Sequence, residues 1–536
     1  MWNLTMLLCI LWAVSLLYGE MLTFWVPSIW SCSWPPLLRS TSLSSSAMEA
    51  QHPGNYVKIA VVADPQLMDK TSLGLPPKSL ALEISQFYTD LFMRRAFLAS
   101  ILPLKPDAIL FLGDYFDGGP SLSDEEWKES SSRFKHIFDL KTQGKRNIQV
   151  YYLSGNHDIG YASVLSHKPE VVRRYEQEFG IRNYRFTVGK VEFVVVDAQT
   201  LDGHSQGSLT SASWDFIKNV SMDVNLNPRV LLTHIPLYRP DWTTCGPYRY
   251  SPVINQRVFH AIHDQEIVYQ NYITEEKSKY LLDLLRPVLI LSGHDHDQCT
   301  VTHMSKHGPV MEHTVGTISW QQGNLYPSFM LLSASNDTIQ NDSSLQDAIS
   351  TQLCFLPMQT HIYIWYLSQF VLTLLALLLW PTNGLGSWRH CRVFMEYTRS
   401  LISSNIFRSG AKEKNEDENC EYEMIWDAEG SMHLVKKTSK APLTRSSERG
   451  LSERGNAVMR STAKRQISQE TELSTAVDMN MDVELDMMAK LPPRASKSRT
   501  KKVIRRLMRT LRMLTVIAAV NVPLYMMLLF KDWTEQ

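Results

Sequence analysis

The chain has no charge excess with which to attract a polyanion. Its 54 Lys and Arg balance 54 Asp and Glu over 536 residues, so no nucleic-acid partner is expected. Paired cysteines are missing too. None of the seven has the spacing of a zinc-binding knuckle, and none is read as a catalytic thiol. No internal repeat is visible, which excludes a repeat architecture. Charge is also nearly absent from three long blocks, and these organise the rest of the sequence.

The first block, Trp2 to Trp30, carries Glu20 as its one charge and no basic residue ahead of it. It is long for a signal-peptide core and reads as an uncleaved signal anchor. The second, His361 to Trp380, has aromatics at both ends; the third, Met513 to Phe530, contains Pro523, which a membrane helix tolerates. Between them, Ser387 to Arg512 is rich in Lys and Arg, densest at Lys497, Arg499, Lys501, Lys502, Arg505, Arg506, Arg509 and Arg512. The positive-inside bias places that stretch in the cytosol. The large segment between the first two blocks then faces the lumen or the outside. It holds three glycosylation acceptors, at Asn219, Asn336 and Asn341. Its cysteines Cys32, Cys245, Cys299 and Cys354 allow three pairings between which sequence cannot choose.

The expected division is a signal anchor and linker (1–54), a catalytic domain (55–335), a linker (336–360), a spanning helix (361–380), a basic and largely disordered cytosolic loop (381–512), a second spanning helix (513–530) and a short tail (531–536). The span 408–499 is polar, Ser-rich and mixed in charge, as disordered segments are.

The catalytic domain alternates apolar strands with helical stretches, then continues into further β segments, which predicts an α/β domain with one or two sheets between helices. Five strands each end in Asp, Asn or His. They are Val57 to Ala63 before Asp64-Pro65-Gln66, Ala108 to Leu112 before Gly113-Asp114, and Ile148 to Leu153 before Gly155-Asn156-His157-Asp158. The strands from Arg229 and Pro287 run into His234 and into Gly293-His294-Asp295-His296. Polar residues placed where strands leave a sheet can converge on one rim. Carboxylate, amide and imidazole donors without thiolates suit hard or borderline divalent cations. Two such cations, about 3.5–4 Å apart, would clamp the attacking and leaving oxygens of a displacement at phosphorus.

This ordered series resembles the calcineurin-like metallophosphoesterases, whose pattern is Asp-x-His, Gly-Asp, Gly-Asn-His-Asp/Glu, a lone His and Gly-His-x-His. The resemblance runs from about Tyr56 to Ser333. It implies a sandwich of two mixed β-sheets flanked by helices, here with transmembrane helices at both ends. It implies one metal on Asp64, Gln66, Asp114 and His296 and another on Asp114, Asn156, His234 and His294, with Asp114 bridging. It further implies metal-hydroxide attack at phosphorus, with His157, oriented by Asp158, assisting the leaving oxygen. One position departs from the family: Gln66 stands where an imidazole is usual, and an amide oxygen is the weaker donor.

Finer features narrow the branch. Asp117-Gly118-Gly119 differs from both the Tyr ligand of purple acid phosphatases and the Asp-Arg-Gly of Ser/Thr phosphatases. Phe116-Asp117-Gly118-Gly119, with Trp127, Arg133-Phe134, Phe179-Gly180, Asn183-Tyr184 and Asp197, is similar to the membrane-bound metallophosphoesterases that remodel GPI anchors. That branch implies a manganese-dependent enzyme of the endoplasmic reticulum or Golgi, multi-pass with its catalytic domain lumenal. It would remove ethanolamine phosphate from a mannose of a GPI glycan or GPI-anchored protein, with membrane lipid as neighbour. Tyr238, Arg239, Trp242 and Arg249 mix aromatic faces with cations and are read as contacts for a sugar beside a phosphate. The alternatives are the same fold on a phosphoprotein or nucleotide-sugar, and a metal-poor binding scaffold.

Overall fold

The computed structural model describes residues 2–37, 56–145, 147–204, 207–223, 227–249, 251, 257–263, 266–337, 345–380, 422–426, 432–436 and 496–534. In chain order its strands are β1 (Tyr56–Val62), β2 (Ala108–Phe111), β3 (Gln149–Tyr152), β4 (Tyr184–Val188), β5 (Val191–Val196), β6 (Arg229–Thr233), β7 (Val258–His260), β8 (Ile267–Gln270), β9 (Leu289–Ser292), β10 (Cys299–Ser305), β11 (Gly308–Thr314), β12 (Ser328–Ser335) and β13 (Ile349–Phe355). They form a five-stranded sheet, β13-β12-β1-β2-β3, a six-stranded sheet, β10-β11-β9-β6-β5-β4, and a small β7-β8 hairpin. Both large sheets are mixed. β1, β2 and β3 are mutually parallel, as are β5, β6, β9 and β11, with antiparallel strands at the flanks.

The period of two along each strand separates three hydrophobic layers. In β1 and β2, Ile59, Val61 and Leu110 face the second sheet, meeting Phe193, Val195, Leu232 and Leu291. The alternate residues Ala60, Val62, Ile109 and Phe111 point outward under the helical residues Phe92, Phe97, Phe134 and Phe138. On the far side, Val194, Leu231 and Ile290 are covered by Ile217, Leu281 and Leu285. The result is the predicted pair of mixed sheets between helices.

Local signals set the helix ends. Ser123 caps the helix Asp124–Ile137 in a full capping box with Glu126, as its acidic first turn suggests. The helix Leu80–Arg95 begins where Ser79 accepts from the Leu82 amide at 3.3 Å. The residues expected to form a linker after 335 contribute β13, which pairs antiparallel with β12 and completes the first sheet. Cys354 in that strand joins Cys32, and Cys245 joins Cys299.

Among the described residues, three helices are long and apolar enough to cross a membrane: Leu4–Ser31, Gln359–Leu379 and Thr500–Trp533. The last is continuous with the basic run, since the helix spans Ser496–Thr534. Polar contacts join the first two: Ser15 Oγ donates to Gln369 Oε1 at 2.7 Å and Trp12 Nε1 to Thr373 Oγ1 at 3.0 Å. Leu8, Leu377, Met513 and Ile517 pack all three together. Arg95, at the end of the helix Leu80–Arg95, ties the bundle to the catalytic domain. It bonds Glu20 at 2.5 Å and Asp532 at 3.1 Å, with 5% of its side chain exposed. Within 408–499, the hairpin Tyr422–Trp426 with Met432–Lys436 is described. The remainder of that span up to 495 lies outside the described residues, as do Tyr250, Asn341, Cys391 and Cys420.

A buried pair robbed of one partner costs about 3–5 kcal/mol, whereas replacing both ends by apolar groups is often neutral. Arg95→Ala should therefore lower the thermal midpoint of the detergent-solubilised chain markedly. A Glu20→Leu/Arg95→Leu double variant should recover most of that loss.

Candidate metal centre

Parallel strands bring their carboxyl ends to one rim, and every predicted donor lies there. Asp64 and Gln66 follow β1, Asp114 follows β2, Asn156 follows β3, His234 follows β6, and His294 and His296 follow β9. The loops are stitched to one another through their backbones. The Gln66 amide donates to the Asp114 carbonyl at 2.8 Å, Gly293 to His234 at 3.0 Å and Thr317 to His296 at 2.9 Å.

Five of these residues adopt left-handed backbone, with φ of 48° at Asp64, 39° at Gln66, 55° at Asp114, 70° at His294 and 54° at His296. Such a conformation costs a non-glycine residue on the order of 1–3 kcal/mol and persists where surrounding structure enforces it, typically at functional sites. The crowding also dictates two glycines. A Cβ on Gly155 would lie 2.0 Å from Asp114 Oδ1, and one on Gly113, at φ +96°, would lie 2.7 Å from His234 Nδ1.

The donor atoms form two overlapping groups, each within 4.8 Å: Asp114 with His234 and His294, and Asp64 with Asp114 and His296. Asp114 belongs to both, as a bridging carboxylate must. Gln66 reaches Asp114 Oδ2 at 3.0 Å, and Asn156 Oδ1 lies 3.2 Å from His234 Nε2. His234 Nδ1 donates to the Leu112 carbonyl at 2.7 Å, which leaves the Nε2 lone pair facing Asp114 and Asn156. His294 is held the other way, with Nε2 donating to the Gln270 carbonyl at 3.2 Å and Nδ1 left to ligate.

The electrostatics fit a missing positive charge. Burial, with Asp114 adding to it, pushes the Asp64 carboxyl up to about 8. Burial disfavours charge on Asp114 as well, but His234 and His157 outweigh it and hold this carboxylate far below its usual range. Burial lowers His234, yet Asp114 and Asp64 raise it to about 9. His294, buried beside His234, falls to about 3, and burial lowers His296. Lone pairs and carboxylates crowded in this way are what divalent cations satisfy.

His157 is oriented differently from the expectation. Its backbone amide donates to Asp114 Oδ1 at 2.8 Å. Its Nδ1 donates to the Asp117 carbonyl, with the Asp117 carboxylate 3.7 Å away. Asp158 does not touch the ring. Its carboxylate accepts from the backbone amides of Asp114 at 2.8 Å, Tyr115 at 2.7 Å and Gly155 at 2.9 Å. At the start of a single helical turn its side chain is turned back toward the strand ends, so it fixes the loop that presents Asp114.

The four residues read as substrate contacts divide. Arg239 is fully buried, within 3.3 Å of Asp295 and 3.5 Å of Glu312. Arg249 grips Asp295 with two bonds, at 2.7 and 3.0 Å. Both guanidiniums are thus spent on the residue between His294 and His296. Ser251 holds Asp297 on the other side, through its amide at 2.8 Å and its hydroxyl at 2.7 Å. Trp242 is 87% exposed, and Tyr238 is half-buried with its amide on Ser278. Sequence reading assigned no role to Asp117 or Asp295. For Asp295 the one available signal was a carboxylate set between two histidines just after a buried strand. Other residues used for the branch comparison are structural: Arg133 binds Asp90 with two bonds at 2.9 Å, and Arg182 pairs with Asp197.

Comparison with known proteins agrees with this geometry. Residues 57–298 match the family model of the calcineurin-like phosphoesterases. The chain is 30% identical to Cell division control protein 1 of Saccharomyces cerevisiae over 312 residues, covering 56% of this chain and 61% of the yeast protein. It is 28% identical to Metallophosphoesterase 1 of Pongo abelii over 347 residues, 61% of this chain and 79% of that one. The Mus musculus protein of the same name is also 28% identical, over 56% of this chain and 76% of its own length.

Groups that orient metal ligands from behind typically contribute 10–100-fold to metal affinity or activity. Asp295→Ala, which strands two buried guanidiniums, should weaken metal retention by about that factor, read by metal analysis after graded chelation. Trp242→Ala, on an exposed side chain, should leave retention unchanged.

Proposed function

We propose that this chain, whose residues 57–298 match the family model of the calcineurin-like phosphoesterases, is a metal-dependent phosphoric ester hydrolase that cleaves a phosphodiester at a dinuclear centre. The assignments of Asp64, Gln66, Asp114 and His296 to one cation, and of Asp114, Asn156, His234 and His294 to the other, are part of this proposal. The observation that carries it is the membership of Asp114 in both donor groups. Divalent cations bound there supply Lewis acidity at phosphorus and lower the pKa of water.

The chain's own residues do the rest. Asp158 and the glycines hold the Asp114 loop rigid, and Arg239 and Arg249 hold the two-histidine loop through Asp295. Burial pulls His157 down, but Asp114 and Asp117 together raise it above its ordinary value, favouring the imidazolium. With Nδ1 committed to the Asp117 carbonyl, the proton on Nε2 is the one His157 can give to the departing oxygen.

The finer reading is removal of ethanolamine phosphate from a mannose of a GPI glycan, with Mn²⁺ as the metal. Its support is the branch resemblance and the apolar helices docked against the domain. A lumenal catalytic domain in the endoplasmic reticulum or Golgi fits the two disulfides between residues 32 and 354, since such bonds persist in oxidising compartments.

The purified chain supplied with Mn²⁺ should hydrolyse an aryl phosphodiester. General-acid removal by His157→Ala should lower kcat about 10²–10⁴-fold with little change in KM. An equal rate in wild type and variant sinks the role of His157. Deletion of the gene should raise ethanolamine phosphate on GPI glycans by mass analysis, and an unchanged profile rules out that substrate.

A further inference from the structure

The loop 320–325 serves two surfaces at once. On one side Gln321 Nε2 donates to the Gln66 carbonyl at 3.3 Å, and the Gln322 backbone bonds His296, which ties the loop to the metal centre. On the other side it walls a cavity of about 690 Å³. The opposite walls come from Ile84 and Tyr88 of the helix Leu80–Arg95, and from Tyr363 and Tyr525 of the second and third apolar helices. Met68, two residues beyond Gln66, closes the end nearest the metals. The cavity therefore runs from the back of a ligand loop to the membrane helices, and its volume is that of a ligand site.

Its lining is mainly apolar and aromatic, with polar side chains at Ser85, Thr89, Gln321, Asn324 and Thr360. Asn324 is 9% exposed, and neither its amide oxygen nor its amide nitrogen has a partner among the described residues. The Trp320 Nε1 beside it is buried without a partner as well. An unsatisfied buried polar group costs about 1–3 kcal/mol, so a ligand that brings hydroxyl or phosphate oxygens is favoured there. The rings form a chain across four elements: Trp320 lies edge-on to Tyr363 at 5.7 Å, Tyr363 to Tyr88 at 6.4 Å, and Tyr525 Oη donates to Tyr88 Oη at 3.2 Å. Tyr363 is one turn into the helix that begins at Gln359, at the end nearest the domain. Amphipathic rings at that level mark the headgroup region of a bilayer.

We propose that this cavity receives the polar–apolar junction of a membrane lipid that carries the scissile phosphoester. The headgroup oxygens meet Asn324 and Trp320, the first methylenes lie along Ile84 and the tyrosines, and the phosphoester extends past Gln321 to the metal rim. A glycolipid of the class proposed above would stay seated in the bilayer while it reacts. This rests on the phosphoesterase reading above and adds to it a site that selects lipid-linked over soluble esters.

The test uses the full chain in phosphatidylcholine nanodiscs. Ile84→Trp fills the cavity from a side chain that is 47% exposed, so the fold is retained, and Asn324→Leu removes the polar anchor. Each is assayed on a synthetic glycosylphosphatidylinositol bearing ethanolamine phosphate and on a soluble aryl phosphodiester. In parallel, the same glycolipid with a diazirine in its acyl chain is photocrosslinked. Both variants should lose about tenfold or more in kcat/KM on the glycolipid, through KM, with the soluble ester within about twofold of wild type. Crosslinks should map to 84–89 and 320–325 and fall in both variants. Equal losses on both esters, crosslinks elsewhere, or crosslinks competed equally by phosphatidylcholine overturn the proposal. If wild type hydrolyses neither ester, the phosphoesterase reading fails, and the crosslinking map alone decides whether the cavity holds the lipid.

Discussion

The Asp114 carboxylate is the group around which the domain is arranged. It is fully buried and lies within 4.8 Å of donors from three other strand ends. Its loop is fixed by the backbone amides of Asp114, Tyr115 and Phe116, all donating to the Asp158 carboxylate. A carboxylate held without water must be met by positive charge, and histidines supply that charge only by carrying protons that metal ions displace. The left-handed backbone at five donor positions follows from the same demand. Short loops must turn their side chains inward over a rim where neighbouring loops already touch, and only tight packing sustains that geometry.

The two sheets exist, in functional terms, to aim these loops. Parallel strands in each sheet end at one rim, and the apolar layer between the sheets keeps the two halves of the donor set in register. Behind the ligands lies a second set of charges. Asp295 receives two guanidiniums and Asp297 receives Ser251, so the segment after β6 braces the loop after β9. The Cys245–Cys299 disulfide closes the same pair of segments covalently.

Much of this was legible in the sequence. Strand ends carrying Asp, Asn or His located the rim, and the order of those residues identified the family. Three apolar blocks located the helices. What sequence could not show was where long side chains go. Arg239 and Arg249 have the composition of a substrate surface, yet their partner is a carboxylate more than forty residues away. Asp158 follows His157 directly, but a helical turn carries its side chain to the backbone of another loop, and Asp117 takes the ring. The strand at 349–355 follows a polar stretch and is stabilised by pairing with β12 rather than by its own pattern, so its local signal was weak. Disulfide pairing depended on a fold that brings residues 32 and 354 together.

The bundle of apolar helices is joined to the domain through Arg95, Glu20 and Asp532, so the rim that carries the donors is held at a fixed position relative to that bundle. The claim beneath all of this is that one carboxylate bridges two metal ions. Electron paramagnetic resonance of the Mn²⁺-loaded chain tests it most directly. The account predicts an exchange-coupled pair in the wild type, replaced by isolated Mn²⁺ or none in Asp114→Asn. Uncoupled Mn²⁺ in the wild type, or coupling that survives in Asp114→Asn, would contradict it.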